Sequence, residues 1–185
     1  MMNTIHFKKM YFLMLLTCVA FSFTSYAQIG GWKPELEKDS RAALQQMIDD
    51  VPKLQTFKNE AYGYAVYPKI TKAGLVIGGA GGEGMVFKGG AATGSSKLGQ
   101  GTFGLQAGGQ QYSEVIFFEN KAAYDRFTGG KFKFSGQASA TAITKGASAD
   151  VAYQDGVAIF TRVKGGLMLE ASVGGQHFSF TPIGE

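Results

Sequence analysis

Glycine places the tightest limit on what this chain can fold into. All 27 glycines fall at or after position 30, and many come as pairs, at 30–31, 78–79, 81–82, 89–90, 108–109, 129–130, 165–166 and 174–175. They follow no collagen period, and aromatic and branched residues are interleaved with them, so a disordered low-complexity tract is a poor description. Some pairs fit turns. Others sit inside apolar runs, where glycine weakens a strand and marks a bulge, a bend or a close approach of another backbone. Repeated this often, the pattern predicts tightly curved strands that close on themselves.

The amino terminus is of another kind. Lys8 and Lys9 precede an almost continuous apolar run from Met10 to Phe23, and Ser25-Tyr26-Ala27 supplies small residues at the −3 and −1 positions before Gln28. This is the layout of a secretory signal peptide, 1–27, and the run is shorter than the ~20 residues a spanning helix needs. Leu15-Leu16-Thr17-Cys18 loosely resembles a lipoprotein cleavage box, but Thr17 stands where such boxes want Gly, Ala or Ser. Cleavage after Ala27 leaves 158 residues and removes Cys18, the one cysteine, so neither a disulfide nor a catalytic thiol is expected. Loss of Lys8 and Lys9 takes Lys+Arg from 18 to 16 against 14 Asp+Glu, a net charge of +2 that does not point to nucleic acid. The expected location is the periplasm or another exported site, with possible association to the envelope. The length suits one domain.

Within that domain, residues 28–60 read as helical. Leu36, Ala43, Leu44, Met47, Ile48 and Val51 share one helical face between Pro34 and Pro52. The opposite face mixes Lys38 and Arg41 with Glu35, Glu37 and Asp39, so the helix is expected to pack on the domain rather than lie on an anionic bilayer. A shorter helix is expected around Leu54 to Asn59.

From 61 to 185 the pattern is β. Gly63 to Tyr67 reads as a strand stopping at Pro68, Gly74 to Phe87 as one bent strand or two, and the segment bracketed by Lys88 and Lys97 as a Gly/Ala/Ser loop. Thr102 to Gln110 alternates with period two, and Val115 to Phe118 reads as a fully buried strand. Asn120 caps a short internal helix through Phe127, with Ala122, Ala123 and Phe127 as its apolar positions. Phe134 to Thr144, Val151 to Gln154, Val157 to Val163 and Leu167 to Phe180 supply further strands. Asp155-Gly156 and Lys164-Gly165-Gly166 are hairpin signals. The fold class expected is α+β, mainly β: a compact Gly-rich antiparallel barrel or sandwich with an N-terminal amphipathic helix and one short internal helix.

Catalytic sets are scarce. His177 is the single histidine after the signal, too few for the common zinc sets or for Ser-His and Cys-His pairs. Gly79-Ala80-Gly81-Gly82-Glu83-Gly84 has the G-x-G-x-x-G spacing, but Met85-Val86-Phe87 after it reads as a strand, whereas the dinucleotide motif needs a helix there. Glu83, Glu114 and Glu170 lie in strand-like sequence, where solvent-facing positions are expected of them, rather than a paired acid and base. No enzyme activity, cofactor or metal is expected. The cations are more informative. Lys69, Lys72, Lys88, Lys131, Lys133, Arg162 and Lys164 fall at or near strand ends. If those ends share a rim, Phe132 and its neighbours make an apolar wedge among cations suited to anionic phospholipid heads.

Three stretches resemble the SYLF domain family. Ala61 to Lys88, AYGYAVYPKITKAGLVIGGAGGEGMVFK, is similar to its opening, with Pro68, Lys69, Lys72, Gly74, Gly78, Gly82 and Gly84 at motif positions. Gly101 to Phe118 resembles the family's G-x-x-x-G-x-Q-x-G strand and its buried successor, and Asp155 to Phe178 its closing hairpin. The Trp-Ser-x-Pro stretch of eukaryotic members is replaced by Gly89 to Gln100. The resemblance implies a lipid-binding module whose partner is phospholipid or a membrane surface. The alternative reading is a small outer-membrane or envelope β-barrel with no specific ligand.

Overall fold

The computed structural model describes residues 30–74, 77–103, 108–130, 141–142, 152–163 and 175–184. The expected signal peptide, 1–27, and with it Cys18 lie outside that set, as do Lys131, Phe132, Lys133, Lys164 and Glu170.

Helix α1 spans Pro34–Asp50 and α2 spans Leu54–Glu60. Proline is tolerated at the first turn because its missing N–H would have no intrahelical partner, and Glu35 and Glu37 there complement the helix dipole. The face foreseen from spacing is the one that packs. Ala43, Leu44, Met47 and Ile48 are buried, with Val51, Leu54 and Phe57 continuing the same layer.

Seven strands follow: β1 Gly63–Gly74, β2 Ile77–Lys88, β3 Ala91–Phe103, β4 Gly108–Phe118, β5 Thr141–Ala142, β6 Val157–Val163 and β7 Gln176–Pro182. They form one sheet in the order β5-β6-β4-β1-β2-β3-β7, antiparallel throughout except for the two-residue β5 beside β6. Helix α3, Lys121–Thr128, separates β4 from β5. Among the described residues the two end strands do not pair, so the sheet is open. The α+β, mainly β class holds.

Both faces of the sheet are buried. On one, Tyr64, Val66, Met85, Phe87, Val115, Phe117, Ala158 and Phe160 pack under α1 and α2. On the other, Ala65, Tyr67, Ile70, Val86, Leu98, Ile116, Phe118 and Ile159 meet α3 and Phe178 of β7. This second face is concave. Strands β4 and β7 stand four positions apart in the sheet, about 19 Å if it were flat. Yet the Gln176 amide of β7 reaches the Glu114 carboxyl of β4 at 3.3 Å. The Tyr67 and Phe178 rings likewise stand 5.9 Å apart, from β1 to β7.

Glycine permits that curl. A Cβ on Gly84 would lie 2.7 Å from the Tyr67 ring, one on Gly82 3.0 Å from Ile70 Cγ1, and one on Gly94 2.5 Å from the Phe180 ring. On the concave face the large side chains of one strand occupy the space that its neighbours' glycines leave.

Four expectations change. Strand β1 does not stop at Pro68. It runs on to Gly74 through a bulge between Val66 and Lys69 against β2 and between Tyr67 and Ile70 against β4. At the bulge the ladder is already interrupted, so proline's missing N–H removes no pair, and the Pro68 carbonyl accepts from Ser113 Oγ at 2.8 Å. The Gly/Ala/Ser segment between Lys88 and Lys97 is not a loop beyond its Gly89-Gly90 turn. From Ala91 it is strand β3, because partners on both sides override its low intrinsic β preference. The alternating stretch 102–110 is not one strand, since Thr102 and Phe103 belong to β3 and Gly108 to Gln110 to β4, while 104–107 lie outside the described residues. In α3, Tyr124 joins Ala123 and Phe127 in the core while Ala122 is exposed.

Other local expectations hold. The Asn120 side chain accepts from the Ala123 N–H at 3.0 Å and caps α3. Asp155 and Gly156, with φ 51 and 78, make a hairpin turn closed by paired Gln154 and Val157 backbone bonds of 2.9 Å. Of the expected strand 151–154, Gln154 alone among the described residues pairs, as an isolated bridge.

Candidate functional site

The middle of the concave face is polar. Along β4, the residues Tyr112, Glu114, Ile116 and Phe118 point the same way by strand alternation. Glu114 stands opposite Tyr67 on β1 and Thr161 on β6. Glu114 is 0% exposed, Thr161 1% and Gln176 1%. Tyr67 shares a 2.7 Å hydrogen bond with Ser96 Oγ on β3. Gln176 Nε2 donates to one Glu114 oxygen. Glu114 Oε1, Thr161 Oγ1 and Gln176 Oε1 are buried with no hydrogen-bond partner among the described residues.

Burial governs the acidity here. Removal from water pushes the Glu114 carboxyl from its usual 4.5 up to about 8, against the opposing pull of the Gln176 amide. The group therefore keeps its proton at neutral pH. The Tyr112 hydroxyl is also raised, first by burial and then by Glu114 beside it. Glu114 thus departs from the solvent-facing expectation. Its place in the alternation with Ile116 and Phe118 was the available signal, since those residues mark that parity as a core face.

Glu83 differs. It lies opposite Lys69 and Lys97 in the ladder and binds Lys33 at 2.7 Å and Lys97 at 3.6 Å. The Lys33 hydrogen bond holds its carboxyl below the usual range. Its neighbours Gly82 and Gly84 face the concave side, so Glu83 and Glu114 project from opposite faces and do not form an acid and base pair. The G-x-G-x-x-G stretch lies inside β2, followed by a turn and β3, which is the wrong context for a dinucleotide. His177 is exposed, its ring Nδ1 3.0 Å from the Gly175 carbonyl.

The described cations do not share one rim. Lys72 stands opposite Ala80, and Gly63 opposite Lys88, so Lys88 lies roughly 27 Å along the strands from the Lys72 end. There Lys88 Nζ sits 5.0 Å from the centre of the Tyr62 ring. Arg162 is committed to the fold, bound to Asp50 of α1. Lys69 is exposed and lines an open groove of about 260 Å³ between α1 and the β1 bulge, with Asp39, Ala42, Ala43, Gln46 and Pro68. Lys72 lies near the same end, half-buried. Neither Lys69 nor Lys72 has an ion-pair partner among the described residues. The motif glycines Gly78, Gly82 and Gly84 fall in β2, and Gly74 ends β1 opposite Gly78.

Comparison with known proteins bears on this arrangement. Residues 99–181 match the family model described as Ysc84, Las17-binding protein actin regulator. The resemblance to the SYLF domain family is thus supported over residues 99–181. The match contains the strand Gly101 to Phe118 and the closing segment Asp155 to Phe178, while the Pro68–Gly84 motif precedes it. The chain is also similar to Beta cell expansion factor A of Aeromonas veronii, 28% identical over 161 residues, covering 78% of this chain and 59% of that protein. It therefore spans about three-fifths of the length of that SYLF relative. Among the described residues no helix is long and apolar enough to cross a membrane.

Proposed function

We propose that the protein is exported and binds lipid, docking on anionic phospholipid through the end of its sheet that carries Lys69 and Lys72, with no catalytic role. One observation carries the reading. Within the SYLF-like opening motif, these two cations have no ion-pair partner among the described residues, while Arg162, Lys97 and Lys33 are consumed by carboxylates of the fold. A lysine without an internal partner is available to a phosphate, and each near an anionic surface contributes about 1 kcal/mol. Association of the SYLF family with lipid supports the same reading. The barrel alternative is less well supported, because the convex face that a membrane barrel would show to lipid is covered by α1 and α2.

The test is co-sedimentation of the secreted protein with vesicles of phosphatidylglycerol or of phosphatidylcholine at low salt. Binding should favour phosphatidylglycerol and weaken as salt rises. The double variant Lys69→Ala/Lys72→Ala should lose about thirtyfold in affinity with an unchanged Tm. Arg162→Ala should lower Tm instead. Failure to bind either vesicle, or wild-type binding by the double variant, refutes the proposal.

A further inference from the structure

The polar layer inside the curl plays no part in that docking surface, and its chemistry is unusual for a core. Interiors satisfy nearly all of their buried polar atoms. Here three oxygens from three strands, Glu114 Oε1 of β4, Thr161 Oγ1 of β6 and Gln176 Oε1 of β7, lack partners among the described residues and sit within one layer. An apolar core residue would fill each position at lower cost, because leaving a buried acceptor unpaired forfeits its full hydration.

We propose that this layer is a binding site for a primary ammonium group, one N–H donated to each of the three oxygens. The donor count matches, since an ammonium offers three N–H bonds and no acceptor. The charge matches too, because a single carboxylate neutralises a single monovalent cation. No group of three or more His, Cys, Asp or Glu side chains that could hold a metal ion occurs among the described residues, so the layer lacks the charge that a divalent metal site brings. Tyr67, Tyr112, Ile70 and Leu98 are buried on the same face and make the surroundings of the layer apolar.

Gln110, two alternations before Glu114 on the same face, is exposed, so the carboxyl lies about 14 Å from that exposed position. That depth favours a slender alkylamine over a bulky head. Lys72 stands opposite Gln110. Protonated Glu114 becomes the carboxylate when the ammonium arrives, and its proton leaves to solvent.

Calorimetric titration of the whole secreted protein with n-butylamine at pH 7 tests this, repeated in buffers of different ionisation enthalpy. One butylammonium should bind per chain with release of about one proton, and tetramethylammonium, which has no N–H, should not bind. Glu114→Gln should weaken butylammonium about tenfold or more while its circular dichroism and its sedimentation with phosphatidylglycerol vesicles stay unchanged. Competition by vesicles containing phosphatidylethanolamine, absent with phosphatidylcholine alone, assigns a lipid amine as the source. Absence of such competition assigns a free amine, and either result supports the site. Absence of butylammonium binding, equal binding by Glu114→Gln, or preferential binding of sodium overturns it. Because vesicle docking and amine binding use different residues, failure of one leaves the other standing.

Discussion

Replacing Glu114 by Gln should change how stability depends on pH more than it changes stability at any one pH. In the fold the carboxyl titrates at about 8 against the usual 4.5. Below 4.5 it is protonated both folded and unfolded, and its burial carries no ionisation cost. Between 4.5 and about 8 the unfolded chain releases this proton and the folded chain retains it, so folding must retrieve it. Stability therefore falls as pH rises, by about 1.4 kcal/mol per pH unit, reaching on the order of 5 kcal/mol at pH 8 and levelling off above it. Glutamine has nearly the same shape and keeps a polar contact for Gln176, but it has no proton to lose. Urea unfolding of both proteins at intervals from pH 4.5 to 9 measures the difference. The gap between variant and wild type should widen steadily in favour of the variant up to pH 8. A gap that stays constant across this range would show that Glu114 is not held neutral by burial, and the account of the concave layer would fall.

Two further substitutions probe how the layer is positioned. Gly84→Ala places a methyl 2.7 Å from the Tyr67 ring and should cost about 1–3 kcal/mol through overpacking, visible as a lower urea midpoint at unchanged m-value; unaltered stability would deny that glycine makes room for the curl. Asn120→Ala removes the cap bond to Ala123 N–H and should cost about 1 kcal/mol, with amide exchange in α3 accelerating more than exchange in β1.

Much of the fold was legible because its signals are local. The α1 face follows from spacing, its start from Pro34, the α3 start from Asn120, and the hairpin turn from Asp155-Gly156. Each depends on residues within a turn or two. The readings that changed depended on neighbours far along the chain. Pro68 reads as a stop until β2 and β4 supply a bulge on either side of it. The Gly/Ala/Ser segment between Lys88 and Lys97 reads as a loop until β2 and β7 clasp it. The cations read as one rim until the ladder places Lys88 at the opposite end from Lys72 and gives Arg162 to Asp50.

Glycine content by itself determined that the strands would curve, because wherever side chains are missing a neighbouring backbone or ring can approach. It could not say which residues the curvature would enclose. Strand alternation assigns Glu114 to the same face as Ile116 and Phe118, but a sheet with both faces covered has no polar side for that parity to be compared with. Only the tertiary curl, which brings Gln176 of β7 across four strand positions to Glu114 of β4, takes the carboxyl out of water. Its weakened acidity and its unpaired neighbours follow from that enclosure, a contact between residues 62 apart in sequence that no local pattern encodes.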